Sequence, residues 1–187
     1  MAALELFAER GYDQTTVADV AERAGVTERT FFRYFTDKRE VLFGAGRVWE
    51  DQIIAGIDDA DPSLAPLDVV TAGLVAGAAL FDERRTFALR RAAVLAATPS
   101  LQERELLKMT KLADGIALAL GKRGVADFDA RLAAETGVAA FRVAFARWIA
   151  DSSGELSLGE HITEVASALL ALAGGQSQAN AVSPPRE

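Results

Sequence analysis

GYDQTTVADVAERAGVTERTFFRYFTDKREVL, residues 11–42, is the stretch whose reading decides the fold. Gly11 follows an apolar set, Leu4, Phe7 and Ala8, at helical spacing, and a glycine there suits the left-handed stop of a helix. Thr15 and Thr16 then offer an N-cap. Val17, Val20, Ala21 and Ala24 recur at i, i+3, i+4 and i+7, which lays one apolar stripe along a second short helix closed by Gly25. Past Val26, Thr27 caps a third helix, with Glu28 near its positive end. Phe31 and Phe35 lie one turn apart on one face of it and read as core. The stretch predicts helix, tight turn, helix.

Working outward, Asp37 with Glu40 three positions later reads as a capping box. A fourth helix is expected to start there and to run through Val41, Leu42, Val48 and Trp49 to Ile57, joining a compact N-terminal unit to the rest of the chain. The acidic stretch before Pro62 ends it. Helical patterns follow from Pro66 to about Arg85, from Thr86 to Ala97, and from Ser100 to about Arg123. Two more run from Asp127 or Asp129 to Ala150 and from Leu158 to Ala173. The expected fold is all-α with about nine helices. It comprises a three-helix unit over residues 1–44, a larger helical domain over 45–174, and a disordered polar tail over 175–187.

Composition narrows the chemistry. Alanine and leucine dominate the apolar half of the chain, which favours helices over sheet. No stretch reaches the roughly 18 apolar residues of a membrane span, and no secretory leader pattern opens the chain, so a cytoplasmic protein is expected. With no cysteine and one histidine, His161, no metal site or thiol chemistry is expected. His161 itself reads as a surface or interface residue. The carboxylates show no spacing of a paired acid and base, and neither an enzyme nor a cofactor is expected. The net charge of −7 excludes a non-specific coat on nucleic acid. Yet the sign reverses locally: from Arg23 to Arg39 the bases Arg23, Arg29, Arg33, Lys38 and Arg39 are opposed only by Glu28 and Asp37.

The same stretch resembles the N-terminal domain of the TetR family of bacterial transcriptional regulators. Gly11-Tyr12, Thr15-Thr16, Ala24-Gly25-Val26, Tyr34-Phe35 and Lys38 fall in register with that family's signature. Family members usually begin the first helix several residues earlier, often behind a basic arm, whereas Met1 here already lies inside it. The resemblance implies a helix-turn-helix whose third helix enters the major groove of operator DNA. Thr27, Glu28, Arg29, Thr30 and Arg33 are then the groove-facing set, with Arg29 and Arg33 able to donate two hydrogen bonds to a guanine. By resemblance, Thr16, Tyr34 and Lys38 hold the DNA backbone. Arg23, Arg39 and Glu40 read as solvated or capping residues.

Beyond Leu42 the resemblance is architectural. It implies a C-terminal domain that dimerises and encloses a pocket for a small-molecule effector. The apolar candidates for that pocket are Trp49, Phe81, Phe87, Met109, Ile116 and Phe145. The two last helices carry stripes suited to a homodimer interface: Gly137, Ala140, Phe141, Ala144 and Trp148, then Ile162, Val165, Leu169 and Leu172. The alternative is that these stripes pack within the subunit. The expected protein is a repressor released from a palindromic operator by its effector; a same-fold activator, or a regulator acting by protein contact, is the alternative.

Overall fold

A computed structural model describes residues 2–44 and 46–179, with side chains described through residue 174. Among them are ten helical segments: α1 (Ala2–Arg10), α2 (Val17–Arg23), α3 (Glu28–Tyr34), α4 (Glu40–Phe43), α5 (Gly46–Asp58), α6 (Pro66–Asp82), α7 (Arg85–Ala96), α8 (Pro99–Lys122), α9 (Asp127–Ala150) and α10 (Leu158–Ala179). The expected fourth helix is two pieces, α4 and α5. Gly44 and Gly46 flank the join, and glycine is the weakest helix former after proline. The last helix runs past residue 173 to Ala179, so the first five residues of the expected tail are helical; residues 180–187 lie outside the described residues.

The N-terminal unit is built from short-range signals. Thr16 and Asp19 close a reciprocal capping box at the start of α2. At its end Gly25, at φ +69°, allows Val26 N–H to reach the Ala21 carbonyl at 2.9 Å and its own N–H to reach that of Glu22 at 3.0 Å, a Schellman stop. Thr27 caps α3 by accepting the N–H of Thr30 at 3.1 Å. Leu4, Phe7, Val20, Ala21, Phe31 and Leu42 share one core, with Phe35 partly buried 5.3 Å from the Phe31 ring; Ala8 stays outside it.

That core does not end at the domain boundary. Val94 and Leu95 of α7 and Leu101 of α8 belong to it, and Phe87 packs on it. Polar links follow the same route: Arg91 Nε donates to the Leu42 carbonyl at 2.8 Å, and Arg104 of α8 pairs with Glu40 of α4. The reading unit is therefore seated on the α7–α8 corner rather than carried by one continuous helix.

In the larger domain α6 is the centre, touching α5, α7, α9 and α10. It is largely apolar, and its buried face carries Val69, Val70, Gly73, Leu74, Gly77 and Ala78. Its crossings are close because side chains are missing where they would collide. A Cβ on Gly73 would lie 2.7 Å from the Ile53 carbonyl oxygen, and one on Gly137 of α9 would lie 2.3 Å from Val70 Cγ1. Two arginines close helix ends, where carbonyls point outward unpaired. Arg123 donates to the carbonyls of Ile57 and Ala60 after α5, and Arg85 to those of Trp148 and Asp151 after α9. No described helix is long and apolar enough to cross a membrane.

His161 is not on the surface. It is buried on α10, with Nε2 3.8 Å from an Asp151 carboxylate oxygen, because the α9–α10 crossing covers its face of the helix.

Candidate nucleic-acid interface and effector cavity

The basic segment resolves into committed and available charges. Arg23 donates to both carboxylate oxygens of Glu9 on α1, at 3.1 and 2.9 Å, and holds the Glu9 carboxyl below its ordinary range. Arg39 pairs with Asp37 at 2.6 Å and lowers that carboxyl in turn, while Asp37 Oδ1 accepts the N–H groups of Arg39 and Glu40 and so starts α4. Among the described residues, Arg29 and Arg33 make no ion pair. Both are exposed on α3 beside Thr27, Glu28 and half-buried Thr30. Arg33 also lies over the Tyr34 ring at 4.8 Å and donates to its hydroxyl at 2.9 Å. Tyr34, 68% exposed, keeps its own hydroxyl hydrogen free for an acceptor.

Two of the expected backbone contacts have other employment. Lys38 Nζ donates to the carbonyls of Tyr12 at 2.7 Å, Thr15 at 2.9 Å and Asp13 at 3.5 Å, and lies 4.3 Å from the centre of the Tyr12 ring. An ammonium has three hydrogens, and all three face carbonyls of the loop between α1 and α2. Lys38 thus fastens that loop, helped by buried Thr15, whose hydroxyl donates to the Gly11 carbonyl at 2.8 Å. Thr16 is exposed, but its hydroxyl hydrogen goes to Asp19 Oδ2 at 2.6 Å. That carboxyl is held below its ordinary value by the Thr16 hydroxyl and then by the Thr16 N–H.

A cavity of about 180 Å³ lies between α5, α6, α7, α8 and α9, beside α4. Five of the six expected pocket residues line it: Trp49, Phe81, Phe87, Met109 and Phe145. Ile116 does not. It is fully buried about two turns beyond Met109, in the core where α8 meets α9. Phe141 lines the cavity instead of an outer surface, its ring 5.0 Å from that of Trp49.

Sequence reasoning missed the charged part of the wall, which is Arg84, Arg91, Glu105 and Lys108. A signal existed: Leu101, Glu105, Lys108 and Leu112 stand at i, i+4, i+7 and i+11, so two charges interrupt the core-facing stripe of α8. Arg91 is spent on Glu105, at 2.6 Å, and on Leu42. Lys108 is half-buried, 5.6 Å from the Trp49 ring centre, and has no hydrogen-bond or ion-pair partner among the described residues. Burial lowers the pKa of its ammonium and Arg91 pushes the same way, against Glu105 and Glu50.

The expected dimer stripe faces inward. Ala140, Phe141, Ala144, Trp148, Ile162 and Val165 are buried within one subunit, and Gly137 is pressed on Val70. The longest apolar stripe of each helix went to the core, because α6 needs covering. Leu169 is half-buried, and Leu172 is exposed. The outward apolar side of α9 is a different one, with Leu132 at 56% and Val143 at 53% exposure, and α10 adds Leu170 beside it.

A capped recognition helix with two exposed arginines, neither in an ion pair among the described residues, on a helical body defines a helix-turn-helix DNA-binding protein. Residues 1–45 match the family model of bacterial regulatory proteins of the tetR family, and residues 64–173 match the MftR C-terminal domain. The chain belongs to the TetR family of bacterial transcriptional regulators.

Its relatives are regulators, not enzymes. One from Mycobacterium tuberculosis (strain ATCC 25618 / H37Rv), named as the mycofactocin biosynthesis transcriptional regulator MftR, is 30% identical over 159 residues, 83% of this chain and 80% of that protein. TcmR of Streptomyces glaucescens, an HTH-type transcriptional regulator, is 45% identical over 71 residues, covering 38% of this chain and 27% of its own. Among solved structures, a TetR-family regulator from Syntrophomonas wolfei superposes with a TM-score of 0.64 at 20% identity, over 92% of this chain and 91% of that one. The fatty acid degradation regulator FadR of Bacillus halodurans gives 0.59 at 19%, over 90% and 91%. At such identities the two structures establish the fold alone.

Proposed function

We propose that the protein is a cytoplasmic homodimeric repressor that holds a palindromic operator and leaves it when a small molecule fills the cavity between α5 and α9. The DNA reading rests on one observation above all. Of the five basic residues in the segment, Arg29 has no side-chain partner among the described residues and Arg33 touches only the exposed Tyr34 beside it, whereas the other three are held by carboxylates or carbonyls; both arginines project from α3. Glu28, Thr27 and Thr30 accompany them in the groove, and Tyr34 meets a phosphate at its edge.

Dimerisation is assigned to the outward side of α9 and α10, through Leu132, Val143 and Leu170, with Leu172 at the rim. The Arg147–Glu164 pair, at 3.1 Å, ties the two helices together there. A two-fold axis through that face repeats α3 and explains why the operator is a palindrome. The ligand acts by binding one seating of the reading unit better than another, since only differential affinity shifts such an equilibrium. Arg91 is the shortest link for that effect, because it lines the cavity and holds the Leu42 carbonyl of α4.

Selection of bound duplexes from random DNA, with the full chain, tests this. The expected product is an inverted repeat with half-sites about one helical turn apart, or a multiple of it. Arg33→Ala is expected to cost about 1–3 kcal/mol and to relax one position per half-site. Enrichment of no sequence, or of one without two-fold symmetry, refutes the reading.

A further inference from the structure

We propose that the effector is a small apolar monoanion, a one-ring aromatic carboxylate, whose carboxylate is held by Lys108 in the cavity between α5, α7 and α8. This rests on the effector reading above and names the chemistry of its site. Three observations carry it: the size of the space, the nature of its wall, and two lining cations, half-buried Lys108 and exposed Arg84, that have no hydrogen-bond or ion-pair partner among the described residues.

Size comes first. An apolar cavity of about 150 Å³ holds one benzene molecule. The 180 Å³ here is enough for a single ring and a short polar group. The wall agrees with a ring: Trp49, Phe81, Phe87, Phe141 and Phe145 surround the space, with Trp49 and Phe81 already edge to face at 5.4 Å. Aromatic faces and edges offer a bound ring the same offset and T-shaped contacts they make with one another.

Charge decides the head group. Arg84, Arg91 and Lys108 line the cavity against the single carboxylate of Glu105, and Glu105 is taken by Arg91. Among the described residues that leaves Arg84 and Lys108 unpaired, and of these only Lys108 is half-buried. Its Nζ rests where a side chain on Gly46 would sit, at the start of α5, so the absence of a Cβ there makes room for it. A half-buried ammonium with carboxylates nearby but none in direct contact among the described residues is costly unless something pairs with it. A carboxylate supplies a single charge and an acceptor for a charge-assisted bond. The three cations of the wall stand against Glu105, with Glu50 beside Lys108 at Gly46, a surplus of about one positive charge that favours the monoanion over a doubly charged phosphate.

The consequence for DNA follows from the neighbours. A carboxylate beside Lys108 stands next to Arg91, the residue that grips α4. It competes with Leu42 and Glu105 for that guanidinium, and the seating of the reading unit changes with the outcome.

The test uses the full chain with benzoate, phenylacetate and hexanoate, each beside its neutral amide, measured by calorimetry and by quenching of tryptophan fluorescence. The expected result is that the aromatic acids bind about tenfold or more tighter than their amides and tighter than hexanoate, the scale of one charge-assisted hydrogen bond. Lys108→Met should abolish the acid-over-amide preference while leaving the ligand-free melting temperature equal or higher, because the unpaired charge is gone. A merely structural lysine would lower it.

Acids and amides binding alike, no acid binding at all, or Lys108→Met keeping the preference overturns the proposal. Hexanoate binding more tightly than the aromatic acids overturns the ring assignment. Operator binding is scored separately by the duplex selection. A specific operator released only by neutral compounds sinks the carboxylate and leaves the repressor standing, whereas absence of any operator sinks the repressor itself.

Discussion

Lys38→Ala separates a lysine that grips DNA from one that holds the protein together. The ammonium serves three carbonyls of the α1–α2 loop, two of them within 3.0 Å, and covers the Tyr12 ring. Hydrogen bonds to a charged group contribute about 1.5–3 kcal/mol each when well buried. This site is half-exposed, so water recovers part of what the carbonyls lose, and about 2 kcal/mol is the expected total with the ring contact included.

For a chain of this length that lowers the melting temperature by about 4–8 °C. Lys38→Met, which keeps the stem against Tyr12 but not the charge, should lose most of the same amount. The second readout is the salt dependence of DNA binding. A phosphate contact removed by the substitution would flatten the slope by about one unit. The structure predicts an unchanged slope, with affinity reduced on all sequences alike because α2 and α3 are less firmly placed. A melting temperature equal to the wild type's, together with a flattened slope, would refute this and return Lys38 to the DNA.

Gly73→Ala sets a Cβ 2.7 Å from the Ile53 carbonyl oxygen, a backbone atom that cannot swing aside, and is expected to cost about 1–3 kcal/mol in denaturant unfolding; an alanine that stabilises, as helix propensity alone would have it, contradicts the close crossing of α5 and α6. Asp19→Asn addresses acid stability. The carboxyl's folded pKa is depressed, so its contribution is complete above the ordinary 3.8 and disappears as pH falls through the lower folded value. The variant should therefore be less stable near neutrality and lose less on acidification, as followed by helical circular dichroism; identical acid limbs would discount the capping box. Val143→Glu on the outward side of α9 should shift sedimentation toward monomer while leaving helix content intact, and a dimer of undiminished affinity would move the interface elsewhere.

What the amino-acid sequence determined alone was whatever a residue settles with partners three to five positions away. Thr16, Gly25 and Thr27 punctuate the reading helix through bonds that span such distances, so its place, its turn and its exposed arginines were legible before any fold was known. The helices of the larger domain were legible for the same reason, by period and, for α6 and α8, by the prolines that open them.

Other features required the folded chain. Lys38 meets a carbonyl 26 residues away, a pairing no local pattern encodes. Which side of α9 and α10 turns inward depends on α6 arriving from elsewhere in the chain, and both sides of those helices carry apolar residues. The seat of the reading unit on α7 and α8, and a lysine that faces the aromatic-walled cavity unpaired among the described residues, come from bringing together helices distant in the chain. Periodicity tells that a side chain will be covered; only tertiary contact decides by what, and whether a space is left.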